Sequence, residues 1–106
     1  MGTMISDVKA SIELGASGRL QGYIAGSAAN LGPIRIVSIN AHLTGADGEI
    51  TIQDAATATG DILIHLKAGS TSNDTFNFNF GGNGVYFKTS AFVTLANIDS
   101  FTAYYG

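Results

Sequence analysis

The chain lacks cysteine and tryptophan altogether and has a single proline among its 106 residues. Without cysteine there is no disulfide framework, no thiolate zinc site and no cysteine nucleophile. Charged residues are also scarce, at 12% of the chain against about 25% in an ordinary soluble domain. Because 45% of the residues are hydrophobic, the composition is the opposite of that of a disordered chain. We therefore expect a folded domain with few charges on its surface.

Basic residues are too few and too scattered to attract a polyanion. The net charge is −3, and the five basic residues are spread over the chain: Lys9, Arg19, Arg35, Lys67 and Lys88. Phosphate binding needs a basic stripe, so we expect no nucleic-acid partner. No apolar run approaches the roughly 18–20 residues of a membrane helix, and the opening MGTMISD lacks the basic and apolar regions of a secretory signal. We expect neither membrane insertion nor secretion.

The hydrophobic pattern predicts an all-β fold. Hydrophobic and polar residues alternate with a period of two along the whole chain, whereas a helical period of hydrophobic residues is nearly absent. About eight or nine short strands at roughly ten-residue spacing are typical of a two-sheet antiparallel β-sandwich, and mixed connection lengths make it jelly-roll-like. A chain of about 100–150 residues shares one core, so we expect a single domain over residues 1–106, with residues 1–7 as a flexible N-terminal arm.

Several strands are predicted individually. The longest is Ile34–Leu43, after the Gly32-Pro33 turn, and Asp47-Gly48 predicts a hairpin that leads into the next strand. Residues 19–25 form an earlier strand in which Gly22 marks a bulge or a close backbone approach. The inward residues of the later strands are expected to be Val37, Ile39, Ala41, Leu43, Ile50, Ile52, Ile62, Ile64 and Leu66.

The segment TFNFNFGGNGVYF, residues 75–87, alternates phenylalanine with asparagine before a glycine-rich turn. Alternation puts Phe76, Phe78 and Phe80 on one face, which we expect to fill the space between two sheets about 10 Å apart. On that basis Phe78→Ala would cost about 3–5 kcal/mol of stability. The opposite face carries Asn77 and Asn79, which have no charge.

Residues capable of catalysis are few. His42 and His65 are the only histidines, the residue type most often used for acid–base chemistry and metal binding. With Glu49 they could imitate the metal cluster of a cupin, but such a site needs three or four convergent ligands, and no H-x-H spacing is present. Exposed or interface histidines are the favoured interpretation. The carboxylates of Asp47, Glu49, Asp54 and Asp61 lie at or near turns, where Asp caps or bends the chain. We therefore predict no enzyme, no catalytic or metal-binding residues and no cofactor.

Carbohydrate binding is an alternative. Tyr23, Tyr86, Tyr104 and Tyr105 could stack on sugar rings, and Asn77 or Asn79 could bond to hydroxyl groups. Tryptophan, the broadest stacking platform, is missing, and tyrosine is equally common at protein–protein interfaces.

The uncharged strands favour association with other proteins. Isolated β-domains protect sheet edges with Lys, Pro, bulges or inward charges, and after residue 74 only Lys88 and Asp99 are charged. We therefore expect identical subunits or a larger partner to cover these strands, over an interface of about 1,200–2,000 Å². The candidate contact residues are Asn77, Asn79, Tyr86, Phe92, Tyr104 and Tyr105.

The segments LGPIRIVSINAH, GEITIQDAATATGDILIHL and GVYFKTSAFVTLANIDSFTAYYG resemble small β-sandwich virion structural proteins of tailed bacteriophages. The resemblance runs from about Leu31 to Gly106 and consists of a Gly-Pro before a strand, a G-V/I-x-F segment and a terminal T-x-x-Y-G. It implies a capsid decoration or cement protein, or a tail-associated module, that is built from repeated copies. It also implies assembly in the host cytoplasm and location in the virion.

Together these observations predict a non-enzymatic structural protein that oligomerises and stabilises a shell. Its partners would be further copies of itself and the major capsid protein or another virion protein, and residues 1–7 would reach a neighbour. The alternative is a receptor- or glycan-binding module of a phage tail or fibre.

Overall fold

The structure, a computed structural model, describes residues 8–44, 47–68 and 75–106. This part of the chain is all-β, as predicted, and none of it forms a helix that is long and apolar enough to cross a bilayer. The predicted arm, residues 1–7, lies outside the described residues. The strands are β1 (Lys9–Ala10), β2 (Gly18–Arg19), β3 (Gln21–Ile24), β4 (Ser27–Asn30), β5 (Ile34–Leu43), β6 (Gly48–Asp54), β7 (Asp61–Ala68), β8 (Thr75–Asn79), β9 (Val85–Phe87), β10 (Phe92–Ala96) and β11 (Ile98–Tyr105).

The strands form two main antiparallel sheets and a separate hairpin. Sheet I has the order β1-β11-β5-β8. Strand β8 pairs with the later part of β5, and β9 pairs with the beginning of β5. Sheet II has the order β2-β10-β6-β7. Within the described part of the chain, strands β3 and β4 pair only with each other. The central strands of both sheets are therefore joined to partners that are distant in sequence.

A single hydrophobic core lies between the two sheets. Sheet I contributes Ile39 and Phe101, and sheet II contributes Ile52 and Val93, all without exposed surface. Because side chains alternate along a strand, burying one face of each sheet leaves the other face to solvent. The predicted β-sandwich is confirmed.

Strand β5 has the predicted bounds but differs from the prediction in which residues face inward. Ile36 is fully buried, as are Ile39 and Leu43, whereas Val37 is only half-buried. The pairing with β11 shifts register at this point, which gives β5 an extra residue beside Val37. Such a bulge reverses the alternation, so the inward face continues at Ile36 and the prediction for Val37 is wrong.

The predicted hairpin at Asp47-Gly48 is also wrong. Asp47 has the positive φ that a tight hairpin turn needs, +61°, but Gly48 does not. However, β5 belongs to sheet I and β6 to sheet II, and the two strands do not pair. The turn therefore carries the chain from one sheet to the other. Gly48 is closely packed there, since a Cβ at this position would come within 2.9 Å of the Leu43 side chain.

Strand β7 and the beginning of the chain contain further irregularities. In β7, Ile64 is buried as expected, but Ile62 is 59% exposed because the pairing with β6 shifts register beside it. Near the beginning of the chain only Lys9–Ala10 forms a strand, and Leu14 adds an isolated bridge to Phe101. These interruptions, and the small polar strand β4, bring the described strands to eleven instead of eight or nine.

Candidate functional site

The Phe stripe, Phe76, Phe78 and Phe80, lies at the margin of the sandwich. Phe78 is opposite Ile39 and Phe76 is opposite Ala41 across the β5–β8 pair, so the stripe is on the core side of sheet I. Its rings lie 6.4 and 5.0 Å apart between centroids. Because β8 is an edge strand, Phe76 and Phe80 are only partly buried and Phe78 is 39% exposed. The prediction that Phe78 is a core residue is wrong.

The outer edge of β8 lacks the usual protection of an edge strand. Among the described residues, no strand pairs with it, and its five residues contain no charge, no proline and no register shift. Strand β7, the corresponding edge of sheet II, carries Asp61, His65 and Lys67 and a register shift. Charges and bulges block edge-to-edge pairing. This outer edge of β8, the β8 margin, is therefore more open to a further strand than the β7 edge of sheet II.

The outer face of sheet I carries almost only uncharged hydrogen-bonding side chains. Cross-strand pairing of β8, β5 and β11 arranges them in three rows: Thr75, His42 and Ser100; Asn77, Asn40 and Thr102; Asn79, Ser38 and Tyr104. Three of the predicted contact residues, Asn77, Asn79 and Tyr104, thus share one face. Such groups can be buried against a partner without the cost of desolvating an ion.

The other predicted contact residues lie elsewhere. Tyr86 is exposed on β9, and its ring is covered on one side by the guanidinium of Arg35, 5.0 Å from the ring centroid. Phe92 is half-buried on the outward side of sheet II, next to the inward Val93. Tyr105 is buried in the core, so it cannot be a contact residue.

A polar groove of about 230 Å³ lies at one end of the outer face of sheet I. Two hydrogen bonds organise this end: His42 Nδ1–H donates to Asp99 Oδ1 over 2.8 Å, and the Ser100 hydroxyl donates to Glu13. Neither lysine nor arginine is among the described residues that line the groove. The groove offers hydroxyl, amide, imidazole and carboxylate groups, and its lining is Glu13, Asn40, Ala41, His42, Thr75, Ser100 and Thr102.

The two histidines do not share a site. His42 is on the outer face of sheet I, whereas His65 is on the outer face of sheet II and hydrogen-bonds to Glu49. This hydrogen bond lowers the pKa of the Glu49 carboxyl. The core therefore separates His42 from the other two members of the cupin-like set, and no group of three or more potential ligands occurs in residues 8–44, 47–68 and 75–106.

The β3–β4 hairpin is a second exposed apolar feature. Tyr23 is 65% exposed and Ile24 57% exposed, beside a turn in which Ala25 and Gly26 both have positive φ. No charged residue occurs between Arg19 and Arg35. The hairpin therefore presents an uncharged apolar tip. The sequence analysis predicted one strand over residues 19–25 and did not predict this tip.

Sequence reasoning also missed most of the groove. The alternation of Ser100, Thr102 and Tyr104 could have identified a polar face on β11. The neighbours of that face depend on the strand order, which places β11 beside β5 across more than fifty residues of sequence. The chain matches no protein-family profile, no curated protein and no solved structure.

Proposed function

We propose that this protein is a non-enzymatic virion structural protein, a capsid decoration or cement protein that self-associates and stabilises the shell. The observation that carries the proposal is the β8 margin, where an unprotected strand edge adjoins a partly exposed Phe stripe. Exposed strand edges and apolar patches mark surfaces that associate with other chains. The virion as the setting rests on the resemblance of residues 31–106 to small structural proteins of tailed bacteriophages.

The fold that we propose in more detail is a jelly roll. When the β3–β4 hairpin and β9 are set aside, eight strands remain. The first pairs with the last (β1 with β11), and the same nesting continues inward: β2 with β10, β5 with β8, and β6 with β7. Nested pairing of this kind, divided between two sheets, is how a chain folds into a jelly roll.

A cement protein needs separate contacts for its own copies and for the shell. The β8 margin suits contact with a copy, because it can extend a sheet. The tip of the β3–β4 hairpin, with Tyr23 and Ile24 exposed, suits insertion between shell subunits, as apolar and aromatic anchors do at protein interfaces. Residues 1–7 would supply a further contact to a neighbour.

Two measurements test this function. Light scattering of the purified protein should give a mass above that of one chain, and the protein should cosediment with phage shells that lack their own decoration protein. The matched variant for shell binding is Ile24→Ser, which should reduce occupancy on the shell while leaving the oligomer intact. A monomer that does not bind to such shells would contradict the proposal.

A second candidate function is a glycan-binding module of a phage tail or fibre, which the polar groove favours. The groove is slightly smaller than the roughly 300–1,000 Å³ of typical small-ligand sites, which suits one sugar ring. Its carboxylate, amide and hydroxyl groups can bind sugar hydroxyls, and Tyr104 lies two residues beyond Thr102 on the same face.

Glycan-array binding followed by titration tests this candidate. Thr102→Val removes one hydroxyl from the groove at nearly constant shape and should weaken sugar binding. Thr94→Val removes an exposed hydroxyl from β10, on the other sheet, and should leave binding unchanged. The absence of saturable binding to any neutral glycan would exclude this function.

A further inference from the structure

We propose that two copies of the chain pair through the outer edges of their β8 strands, antiparallel, about a two-fold axis that passes beside Phe78. This arrangement rests on the self-association proposed above and specifies its geometry. It joins sheet I of one copy to sheet I of the other.

Backbone direction along β8 identifies the groups that are available at the edge. The Phe80 N–H donates to the Val37 carbonyl over 2.9 Å, so the backbone of Phe80 faces β5. In an antiparallel strand the hydrogen-bonding direction alternates from residue to residue. The backbones of Phe78 and Phe76 therefore also face β5, and the N–H and C=O groups of Asn77 and Asn79 point away from the sheet.

The sequence of β8 is self-complementary in this orientation. Residues 76–80 read FNFNF in both directions. Antiparallel pairing centred on Phe78 puts Asn77 opposite the partner's Asn79, and each of these residues can exchange both of its backbone hydrogen bonds with the other. A two-fold interface requires one surface to be complementary to itself, and this short segment meets that requirement in backbone and side chains alike.

The register centred on Phe78 also brings more aromatic rings opposite each other than the register centred on Asn77 does. It sets Phe78 opposite the partner's Phe78 and Phe76 opposite the partner's Phe80, so all three rings of each Phe stripe face another ring. Centring the pair on Asn77 would leave Phe80 without an aromatic partner. Phe78 would occupy a non-hydrogen-bonded pair, in which Cα atoms are about 4.5 Å apart and side chains are closest.

The consequence is that each Phe stripe covers the other. Phe78, 39% exposed in one copy, would become part of a continuous apolar layer beneath the joined sheets. On the outer face, Asn77 and Asn79 of both copies would extend the polar rows. Strand β7 cannot pair in the same way, because Asp61, His65 and Lys67 occupy its edge.

Cysteine cross-linking tests the pairing directly, because the chain has no cysteine of its own. Phe78→Cys should form a disulfide-linked dimer under mild oxidation, since the expected Cα separation lies within the roughly 4.4–6.8 Å range of disulfides. The matched control is Leu63→Cys on β7, where the native side chain is 40% exposed. Equal cross-linking of the two variants would overturn the proposal.

Charged variants test the register. Asn77→Lys combined with Asn79→Lys places like charges opposite each other and should weaken dimerisation by at least about tenfold, as like charges on paired residues are destabilising. Asn77→Lys combined with Asn79→Glu places opposite charges together and should retain the dimer. If both double variants dimerise equally, the β8 pairing is wrong even though self-association stands. If the unmodified protein is a monomer, the pairing fails together with the self-association on which it rests, and cosedimentation with shells then tests what remains of the proposed function.

Hydrogen exchange tests the pairing in the unmodified protein, so this measurement does not require that any variant folds. The amides of Asn77 and Asn79 point outward, so they should exchange at least about tenfold more slowly at concentrations where the dimer forms than at high dilution. The amide of Phe80, bonded to Val37 in either state, serves as the internal reference. Unchanged exchange at residues 77 and 79 across the dimerisation range would overturn the pairing.

Discussion

Phe78 and Ile39 lie opposite each other on the same side of sheet I, yet Ile39 is fully buried while Phe78 is 39% exposed. The difference arises because β5 is covered by sheet II and β8 extends beyond it. One cross-strand pair thus places one apolar side chain in the core and the other at the surface of the chain.

This pair leads to a prediction about stability. Phe78→Ala should cost about 1–2 kcal/mol in the monomer, because much of the ring remains in contact with water before and after folding. Ile39→Ala should cost about 2–5 kcal/mol, because it leaves a cavity in the core. Denaturant titration at a protein concentration that keeps the chain monomeric measures both. A larger loss of unfolding free energy for Phe78→Ala than for Ile39→Ala would contradict the exposure of the Phe stripe.

Asp54 is predicted to stabilise the fold through its charge. Its carboxylate accepts backbone N–H groups from Thr89 at 2.8 Å, Lys88 at 3.3 Å and Ser90 at 3.4 Å, which ties the end of β6 to the loop between β9 and β10. Burial raises the pKa of Asp54, but these three donors and the positive charge of Lys88 together outweigh it, so the pKa is lowered overall. Asp54→Ala should cost about 1–3 kcal/mol, the value of hydrogen bonds to a charged group.

The same contact predicts the direction of the pH dependence. Because the folded-state pKa of Asp54 lies below the unfolded value of about 3.9, its contribution is fully present above that pH and is lost as the pH falls through the folded-state pKa. Asp54→Asn should therefore flatten the acid limb of a stability–pH curve. Asp47→Asn, at an exposed carboxyl that takes no part in this contact, is the control and should leave that limb intact.

Gly22 is predicted to be required for packing. A Cβ on Gly22 would overlap the hydroxyl of Tyr105 and lie 3.0 Å from the Leu31 side chain, so the close backbone approach expected there is confirmed. Gly22→Ala should cost about 1–3 kcal/mol, as overpacking does. The cost should be smaller in a Tyr105→Phe background, because the overlapping oxygen is gone. Gly32→Ala, where nothing lies within 4 Å of the added atom, should be close to neutral in the same thermal unfolding assay.

Self-association should be almost independent of ionic strength. No charged residue occurs between Thr75 and Phe87, so salt has no ion pair to screen at the β8 margin. Sedimentation equilibrium should give the same dimer constant within about twofold from low salt to about 1 M sodium chloride, and sodium sulfate should strengthen the dimer. A dimer that dissociates as sodium chloride rises would point to a charged interface elsewhere on the chain.

The local pattern was enough to predict much of the fold. The bounds of β5, the inward Ile50 and Ile52, and the positive φ of Asp47 follow from alternation and turn chemistry, which depend on neighbouring residues. Val37 and Ile62 were misplaced because a register shift depends on the partner strand. The hairpin at Asp47-Gly48 was predicted wrongly for a related reason. The turn residues define a bend, but they carry no information about which sheet the chain enters next.

The composition of the candidate surfaces could be predicted from the sequence, but the positions of their residues in the fold could not. Asn77, Asn79 and Tyr104 were identified because they lie in charge-free strands, and the structure brings them onto one face. Tyr105 has the same composition signal as Tyr104 but is on the opposite side of the strand, in the core. The exposure of Phe78 depends on β8 being an edge strand, which a single segment of sequence does not reveal.

The position of β11 also bears on how the protein is made. This strand runs between β1 and β5 and holds them in one sheet, although it is the last of the described strands to leave the ribosome. Until it emerges, β1 has no neighbour and the central β5 lacks one side of its ladder. Nascent chains should therefore stay unfolded and in need of chaperones until Ile98–Tyr105 is released, after which the sandwich can close in a single step.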